Sequence, residues 1–194
     1  MQSFLETFDV HFAPNLRHRT ATFRKAIELL EERPGQHAIC ETGGMRVEPG
    51  EEAAKNDGSS TLIWDAYARH YPSTEVFVCE LDAKTVEMAA SHVSDKVAFY
   101  VGDSVRRLRD IDTPIDLLYL DSFDLSWFNP HPSALHHVME LASITPMLKP
   151  GALVLIDDCG PAVGGKGLYV SDWLHRIGAT PIMRHYQYLW RMPS

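Results

Sequence analysis

Five acidic residues, Glu41, Glu80, Asp103, Asp121 and Asp157, stand at the ends of short apolar runs, and Asp158 doubles the last of them. One acid in such a place ordinarily caps a helix or forms a turn. If the runs are parallel strands of one sheet, the five instead share an acidic rim along its carboxyl edge, where open α/β sheets bind ligands. Such a rim repels phosphate. Between Glu41 and Thr61 the only cations are Arg46 and Lys55, and the chain has neither a GxxxxGK[ST] loop nor an uninterrupted GxGxxG. A nucleoside without phosphates suits it better. Glu80, ending the second run, can hold both ribose hydroxyls; Asp103, ending the third, can accept from an adenine amino group. A helix beginning at Ser59-Ser60-Thr61 offers free N–H groups and a positive dipole end to a carboxylate. Adenine, ribose, an amino-acid tail and a cation that tolerates acids together describe S-adenosylmethionine.

The elements that must position these residues follow from the pattern. The apolar runs His37–Cys40, Glu75–Cys79, Val97–Val101, Ile115–Leu120 and Ala152–Ile156 read as strands. Helical segments alternate with them: Pro14–Glu32 before the first, then one opening at Gly58–Thr61, Ala83–Val93 capped by Asp82, a short Ser104–Arg109, Pro132–Leu148 and Leu168–Ile177. Lys149-Pro150-Gly151 reads as a turn and Met45–Asp57 as an inserted loop. Two last runs, Pro181–Arg184 and Tyr188–Arg191, are joined too closely for a parallel crossover, so they form an antiparallel hairpin. The expected fold is α/β: a Rossmann-like, doubly wound, mostly parallel seven-stranded sheet with a C-terminal antiparallel hairpin and helices on both faces. Residues 1–194 make one domain, with 1–35 as an N-terminal helical cap segment.

The successive stretches VFVCELDAKTVEMA, VAFYVGDS, IDLLYLDSFD and LKPGALVLIDD resemble the motifs of class I S-adenosylmethionine-dependent methyltransferases, over most of the chain from Ala38 onward. Within that superfamily the chain is similar to a bacterial branch whose first motif is ETG, an inserted loop and DGxST, and from strand two to strand five it resembles catechol O-methyltransferase. The resemblance implies that Glu80-Leu81 binds ribose, that Gly102-Asp103-Ser104 lies by the adenine, and that Glu41-Thr42-Gly43 with Ser59-Ser60 holds the methionine moiety. The insertion after Gly44 interrupts the usual glycine-rich first motif. In the catechol enzyme the acid ending strand four and an Asp-Asn pair ending strand five hold magnesium; here those places carry Asp121 and Asp157-Asp158. Three carboxylates are hard ligands for Mg²⁺, Mn²⁺ or Ca²⁺, and such an ion lowers the pKa of a bound hydroxyl. Without an ion, Asp121 would touch the cofactor and Asp157-Asp158 would cap a turn.

Further candidates surround the rim. His136 and Glu140 are spaced i, i+4 on one helix, with His131 and His137 nearby, so His136 is a candidate general base beside Asp121. Lys166, in a flexible GGKG loop by the fifth-strand acids, could orient an acidic substrate or stabilise an oxyanion. Asp124, Trp127 and Phe128 could line a substrate pocket; Cys40, Cys79 and Cys159 are too scattered for a zinc or disulfide framework, and Cys40 and Cys79, in apolar runs, read as small core residues.

With 18 Lys and Arg against 26 Asp and Glu the net charge is −8, which argues against nucleic acid and anionic membrane as partners. No secretory leader or membrane span is read, so the expected location is cytoplasmic. The expected activity is methyl transfer to a small-molecule or sugar hydroxyl, an acceptor bound in the cleft or completed by a second subunit of a homodimer. Three other readings fit part of the pattern: a nucleoside-binding protein without turnover, a hydroxylase-like metal enzyme on the same scaffold, and a nicotinamide enzyme. No two-histidine, one-carboxylate triad and no glycine fingerprint can be read for the last two.

Overall fold

The computed structural model describes residues 3–33, 35–50, 59–160 and 164–194. The strands are β1 Ala38–Thr42, β2 Glu75–Glu80, β3 Val97–Val101, β4 Ile115–Leu120, β5 Leu148–Ile156, β6 Thr180–Arg184 and β7 Tyr188–Arg191. They form one sheet in the order β3-β2-β1-β4-β5-β7-β6. The first five are mutually parallel, and β7 runs antiparallel to β5 and β6. This is the doubly wound, mostly parallel sheet with a C-terminal hairpin that the alternation of runs predicts. The order reverses between β1 and β4, which opens a crevice at their carboxyl ends.

β1 and β4 are buried along their whole length, which is why they read as mostly apolar runs rather than as alternating ones. Each face of the sheet has its own core. One is aromatic: Phe4, Phe8, Phe23, Trp64, Tyr67 and Tyr119 pack with Ile39 and Leu155. It lies under α1 (Phe4–His11), α2 (Thr20–Glu31) and α3 (Ser60–His70). The other is aliphatic, with Cys40, Leu118, Val154, Ile156, Leu141 and Leu174, and lies under α5 (His131–Ile144) and α6 (Gly167–Arg176). α4 (Ala83–Ala90) covers the β2–β3 edge and is capped by Asp82, which accepts from Thr85 N–H at 3.0 Å. Among the described residues no helix is long and apolar enough to cross a membrane.

The N-terminal segment differs from the single helix expected over Pro14–Glu32. α1 precedes it, started by Ser3 Oγ accepting from Leu5 N–H, with Phe4 and Phe8 on its buried face. A single turn at Ala13–Leu16 follows, with Pro14 where its missing N–H costs nothing. Arg17 then breaks the helix at φ 51°, and Thr20 Oγ1 donates to the carbonyls of Ala13 and Arg17 before α2 begins. α2 buries Phe23, Ala26, Ile27 and Leu30, a full i, i+3, i+4, i+7 stripe. The expected turn at Lys149-Pro150-Gly151 is part of β5. Ile115 pairs with Leu148 and Leu117 with Leu153, so these residues form a wide bulge instead. Gly151 takes φ 70° there, and Lys149 reaches Asp116 at 2.6 Å.

Candidate active site

A cavity of about 620 Å³ opens at the carboxyl ends of β1 to β4. Gly43, Gly44, Met45 and Arg46 line it after β1, with Glu80-Leu81 after β2, Gly102-Asp103-Ser104 after β3 and Asp121 to Asp124 after β4. Ser60 and His136 complete it from α3 and α5. Gly43 is required by its place: it has φ 80°, and a Cβ there would lie 2.6 Å from the Asp121 carbonyl oxygen. The insertion is described only as far as Gly50; residues 51–58 lie outside the described residues, as do residues 161–163 of the Gly160–Gly167 loop.

Glu80 is buried at the floor of the cavity. Gly44 N–H donates to its Oε2 and Asp82 N–H to its Oε1, both at 2.9 Å. The carboxylate is thus fixed in orientation, with lone pairs left for a ligand. Leu81 beside it is 73% exposed, an apolar surface next to a fixed charge. Asp103 accepts from Val105 N–H at 2.9 Å, so it caps the turn Ser104–Arg107 while also facing the cavity.

Glu41, Thr42 and Ser59 are not among the residues that line the cavity. The Glu41 carboxylate is fully buried and accepts from the Ser60 and Thr61 hydroxyls, which ties the end of β1 to the start of α3. The Thr42 carbonyl takes the Asp121 N–H at 3.0 Å. Ser59 occupies the cap position of α3 in a left-handed conformation, φ 44°, and its hydroxyl makes no capping bond.

The acids of β4 and β5 do converge. One oxygen each from Asp121, Asp157 and Asp158 can be chosen so that all lie within 4.8 Å of one another. Among the described residues this is the one His, Cys, Asp or Glu group with such spacing, and it contains no histidine. Its charge is countered from within. Lys166 Nζ lies 2.6 Å from Asp121 Oδ1 and 3.2 Å from Asp158 Oδ2, and Arg19 Nε lies 2.8 Å from Asp157 Oδ2. The hydroxyl of Tyr186 donates to Asp158, and that of Tyr119 to Asp121 at 3.1 Å. Asp157 Oδ1 is buried with no hydrogen-bond partner.

Lys166 is therefore not a solvated loop residue: its side chain is 3% exposed. Gly164 and Gly165, at φ 77° and 46°, press the backbone against Asp158, where a Cβ on Gly165 would come within 1.9 Å of the Asp158 carbonyl oxygen. Burial pushes the Lys166 pKa down, but Asp121, Asp158 and Asp157 outweigh it and hold the ammonium firmly protonated. Burial, reinforced by the Asp157 charge, raises Asp121 well above the usual carboxylate range. Burial also pushes Asp158 upward, yet Lys166 and the Tyr186 hydroxyl prevail and hold it below that range. Arg19 and Tyr186 had no signal in the sequence, since neither belongs to a motif.

His136 bonds towards β3. Its Nε2 is 3.0 Å from Ser104 Oγ and 3.4 Å from Glu140 Oε1, and the ring packs against Phe123. Glu140 is fully buried, also accepts from Ser122 Oγ at 2.6 Å, and raises the His136 pKa by hydrogen bonding. The imidazole is thus anchored to the same turn that presents Asp103. Asp124 lines the cavity and pairs with Arg46 at 2.7 Å. Trp127 packs its ring against Gly160, and Phe128 is fully exposed. Cys40 and Cys79 are buried, as expected, and so is Cys159.

No protein-family model matches the chain, and no curated protein sequence matches it. Solved structures do. MycE methyltransferase from the mycinamycin biosynthetic pathway, in complex with Mg, S-adenosylhomocysteine and mycinamycin VI, superposes with a TM-score of 0.66 at 16% identity. The match covers 99% of this chain and 55% of that one, so the chain spans about half the length of MycE. The S-adenosylhomocysteine-bound methyltransferase PaMTH1 of Podospora anserina gives a TM-score of 0.62 at 16% identity, covering 98% of this chain and 86% of that one. CalS11, a TDP-rhamnose 3′-O-methyltransferase of calicheamicin biosynthesis, gives 0.56 at 17%, covering 96% and 86%. At these identities the likeness is one of architecture: the chain has the Rossmann-like fold of the S-adenosylmethionine-dependent methyltransferases.

Proposed function

We propose that this chain binds S-adenosylmethionine in the β1–β4 cavity and transfers its methyl group to a hydroxyl of a small acceptor, such as a sugar or natural product. The observation that carries the reading is the Glu80 carboxylate, held by two backbone N–H groups between exposed Leu81 and the Gly44 turn. An acidic acceptor at the end of the second strand of this fold suits a ribose diol and repels phosphate. The cavity volume lies in the range of small-molecule sites. MycE and PaMTH1, with the same fold, are described as bound to S-adenosylhomocysteine.

The donor supplies an electrophilic methyl group on a sulfonium. The chain's own contribution is mainly binding and orientation. Glu80 accepts from the ribose hydroxyls, Asp103 from the adenine amino group, and Leu81 covers an apolar ring face. Ser60 and the start of α3 meet the amino-acid tail, and Asp121 marks the end of the cavity where the acceptor hydroxyl approaches. His136, anchored through Ser104 and Glu140, steadies the adenine side in this arrangement.

The acid cluster fits a hard divalent ion, Mg²⁺ first and Mn²⁺ or Ca²⁺ next: three carboxylates supply oxygen, and Asp157 Oδ1 is a buried acceptor lacking a donor. Held by Asp121, Asp157 and Asp158, such an ion would acidify the acceptor hydroxyl. The all-carboxylate set favours this over an iron oxygenase triad.

The test is calorimetric titration of the metal-stripped protein with S-adenosylhomocysteine, then a panel of hydroxyl acceptors assayed for product formation with Mg²⁺ and with chelator. Micromolar binding and transfer to oxygen are expected. A folded protein that binds no S-adenosylhomocysteine would refute the reading.

A further inference from the structure

We propose that Lys166 is a tethered cation in competition with a divalent ion: both use the same oxygens of Asp121 and Asp158, so ion binding expels the Lys166 ammonium from the cluster. The inference rests on the reading of the cluster as an ion site. An ammonium has three N–H donors, and Lys166 Nζ meets three acceptors, Asp121 Oδ1 at 2.6 Å, Asp158 Oδ2 at 3.2 Å and the Asp121 carbonyl at 3.3 Å. A divalent ion sits about 2.0–2.6 Å from its oxygen ligands. On those oxygens the ion would stand within a few ångströms of the ammonium, and the two like charges would repel in a largely buried site. Arg19 holds Asp157 Oδ2, which leaves Asp157 Oδ1 as the unpartnered oxygen of the three residues.

Charge points the same way. With Asp121 ionised in its 2.6 Å ion pair with Lys166, the three carboxylates together with Lys166 and Arg19 carry one net negative charge. Exchanging the ammonium for a divalent ion leaves the cluster one unit more positive, hence neutral. Adding the ion beside the ammonium would leave excess positive charge in a largely buried site, an arrangement that burial penalises. Exchange is therefore favoured over addition. Expulsion also has a destination, because Asp121 lies on the wall of the cavity. An ammonium released there adds a positive charge on the acceptor side.

The experiment measures Mn²⁺ binding, by electron paramagnetic resonance and calorimetry, to the wild-type protein and to Lys166→Met, a neutral side chain of similar length. Removing the competitor is expected to tighten Mn²⁺ by at least about 100-fold, the low end of the scale of one broken buried ion pair. Because Lys166→Met could unfold, a second measurement uses the wild type alone: reductive methylation read by mass spectrometry. Lys166 is expected to be protected without ion and to react at least about tenfold faster at saturating Mn²⁺, with exposed Lys84 unchanged. Equal Mn²⁺ affinity in both proteins, or Lys166 protected throughout, overturns the proposal. Absence of Mn²⁺ binding in both, with S-adenosylhomocysteine binding intact, overturns it together with the ion site but leaves methyl transfer standing. Exchange at Lys166 in a protein that binds no S-adenosylhomocysteine upholds the proposal and removes the methyltransferase reading.

Discussion

Replacing Glu80 by glutamine keeps the shape of the side chain but removes its charge and converts one acceptor into a donor. In the native arrangement Oε2 takes the Gly44 N–H and Oε1 the Asp82 N–H, each at 2.9 Å. A glutamine can accept only one of them, so one backbone donor loses its partner at a cost of about 1–3 kcal/mol. For a chain of 194 residues that lowers Tm by roughly 2–12 °C. The ligand loses at least one charge-assisted hydrogen bond, worth about 1.5–3 kcal/mol, so the Kd for S-adenosylhomocysteine should rise about 10- to 150-fold. Glu80→Ala removes both acceptors, and the increase should reach about 10³-fold or more. The assay is calorimetric titration alongside thermal melting. A 2′-deoxyribose analogue of the ligand closes the cycle: it should bind the wild type weakly and be nearly indifferent to Glu80→Gln. If Tm falls while Kd for the natural ligand stays within twofold, Glu80 serves only to shape the Gly44 turn, and the ribose assignment fails.

Two further perturbations probe the buried charges around the cavity. His137 is fully buried, its Nδ1 bonded to the Ser133 carbonyl, and burial pushes its pKa down from 6.5 to about 4. Between those values the unfolded chain binds a proton that the folded chain does not, so stability falls as pH drops from about 6.5 to about 4, by about 3 kcal/mol in all. Urea unfolding at several pH values should show this acid limb, and His137→Gln should flatten it; an unchanged limb in the variant assigns it to other groups. Arg19→Met leaves the fully buried Asp157 carboxylate without its 2.8 Å partner. A loss of about 3–5 kcal/mol is expected in chemical denaturation, and a change below about 0.5 kcal/mol would show that Arg19 contributes nothing to holding the cluster.

The strands were legible because a strand buried on both faces is mostly apolar, and an acid follows each apolar run at its carboxyl end; Asp116, buried near the start of β4 and paired with Lys149, is the exception. Glu41, Glu80, Asp103, Asp121 and Asp157 all lie at the carboxyl edge. Their directions were harder to read. Successive strand residues face opposite sides: Ile39 belongs to the aromatic core and Cys40 to the aliphatic one, so Glu41 turns with Ile39 towards α3 and meets Ser60 and Thr61. By the same parity Asp157 turns with Leu155 towards the N-terminal helices, where Arg19 lies. Parity gives Glu80, two residues after Val78, and Asp121, two after Tyr119, the same side as Glu41, so the pleat does not separate the structural acid from the cavity residues; the Ser60 and Thr61 hydroxyls that bury Glu41 do. Nothing local announces Arg19 or Tyr186, which reach the cluster from distant segments, and Lys166 in GGKG reads as loop because only the backbone of Gly164 and Gly165 brings it inward. α1 escaped notice because two turns carrying Phe4 and Phe8 give too short a period to recognise.

The Arg19 contact has a consequence for how the chain is made. Arg19 pairs with Asp157 across 138 positions and approaches Tyr186 across 167. A ribosome adding about 5–20 residues per second needs roughly 7–28 s to travel from one member of the first pair to the other. Through that interval the β1–β3 half can form its own strand pairings, since their partners are close in sequence, but the acid cluster has neither of its buried cations in place. Lys166 and then Tyr186 emerge after Asp157 and Asp158. Under the proposed function, the nascent protein therefore acquires the side assigned to the nucleoside before the side assigned to the acceptor. A ligand that engages only Glu80 and Asp103 would meet a nearly finished site on a chain that is still being synthesised.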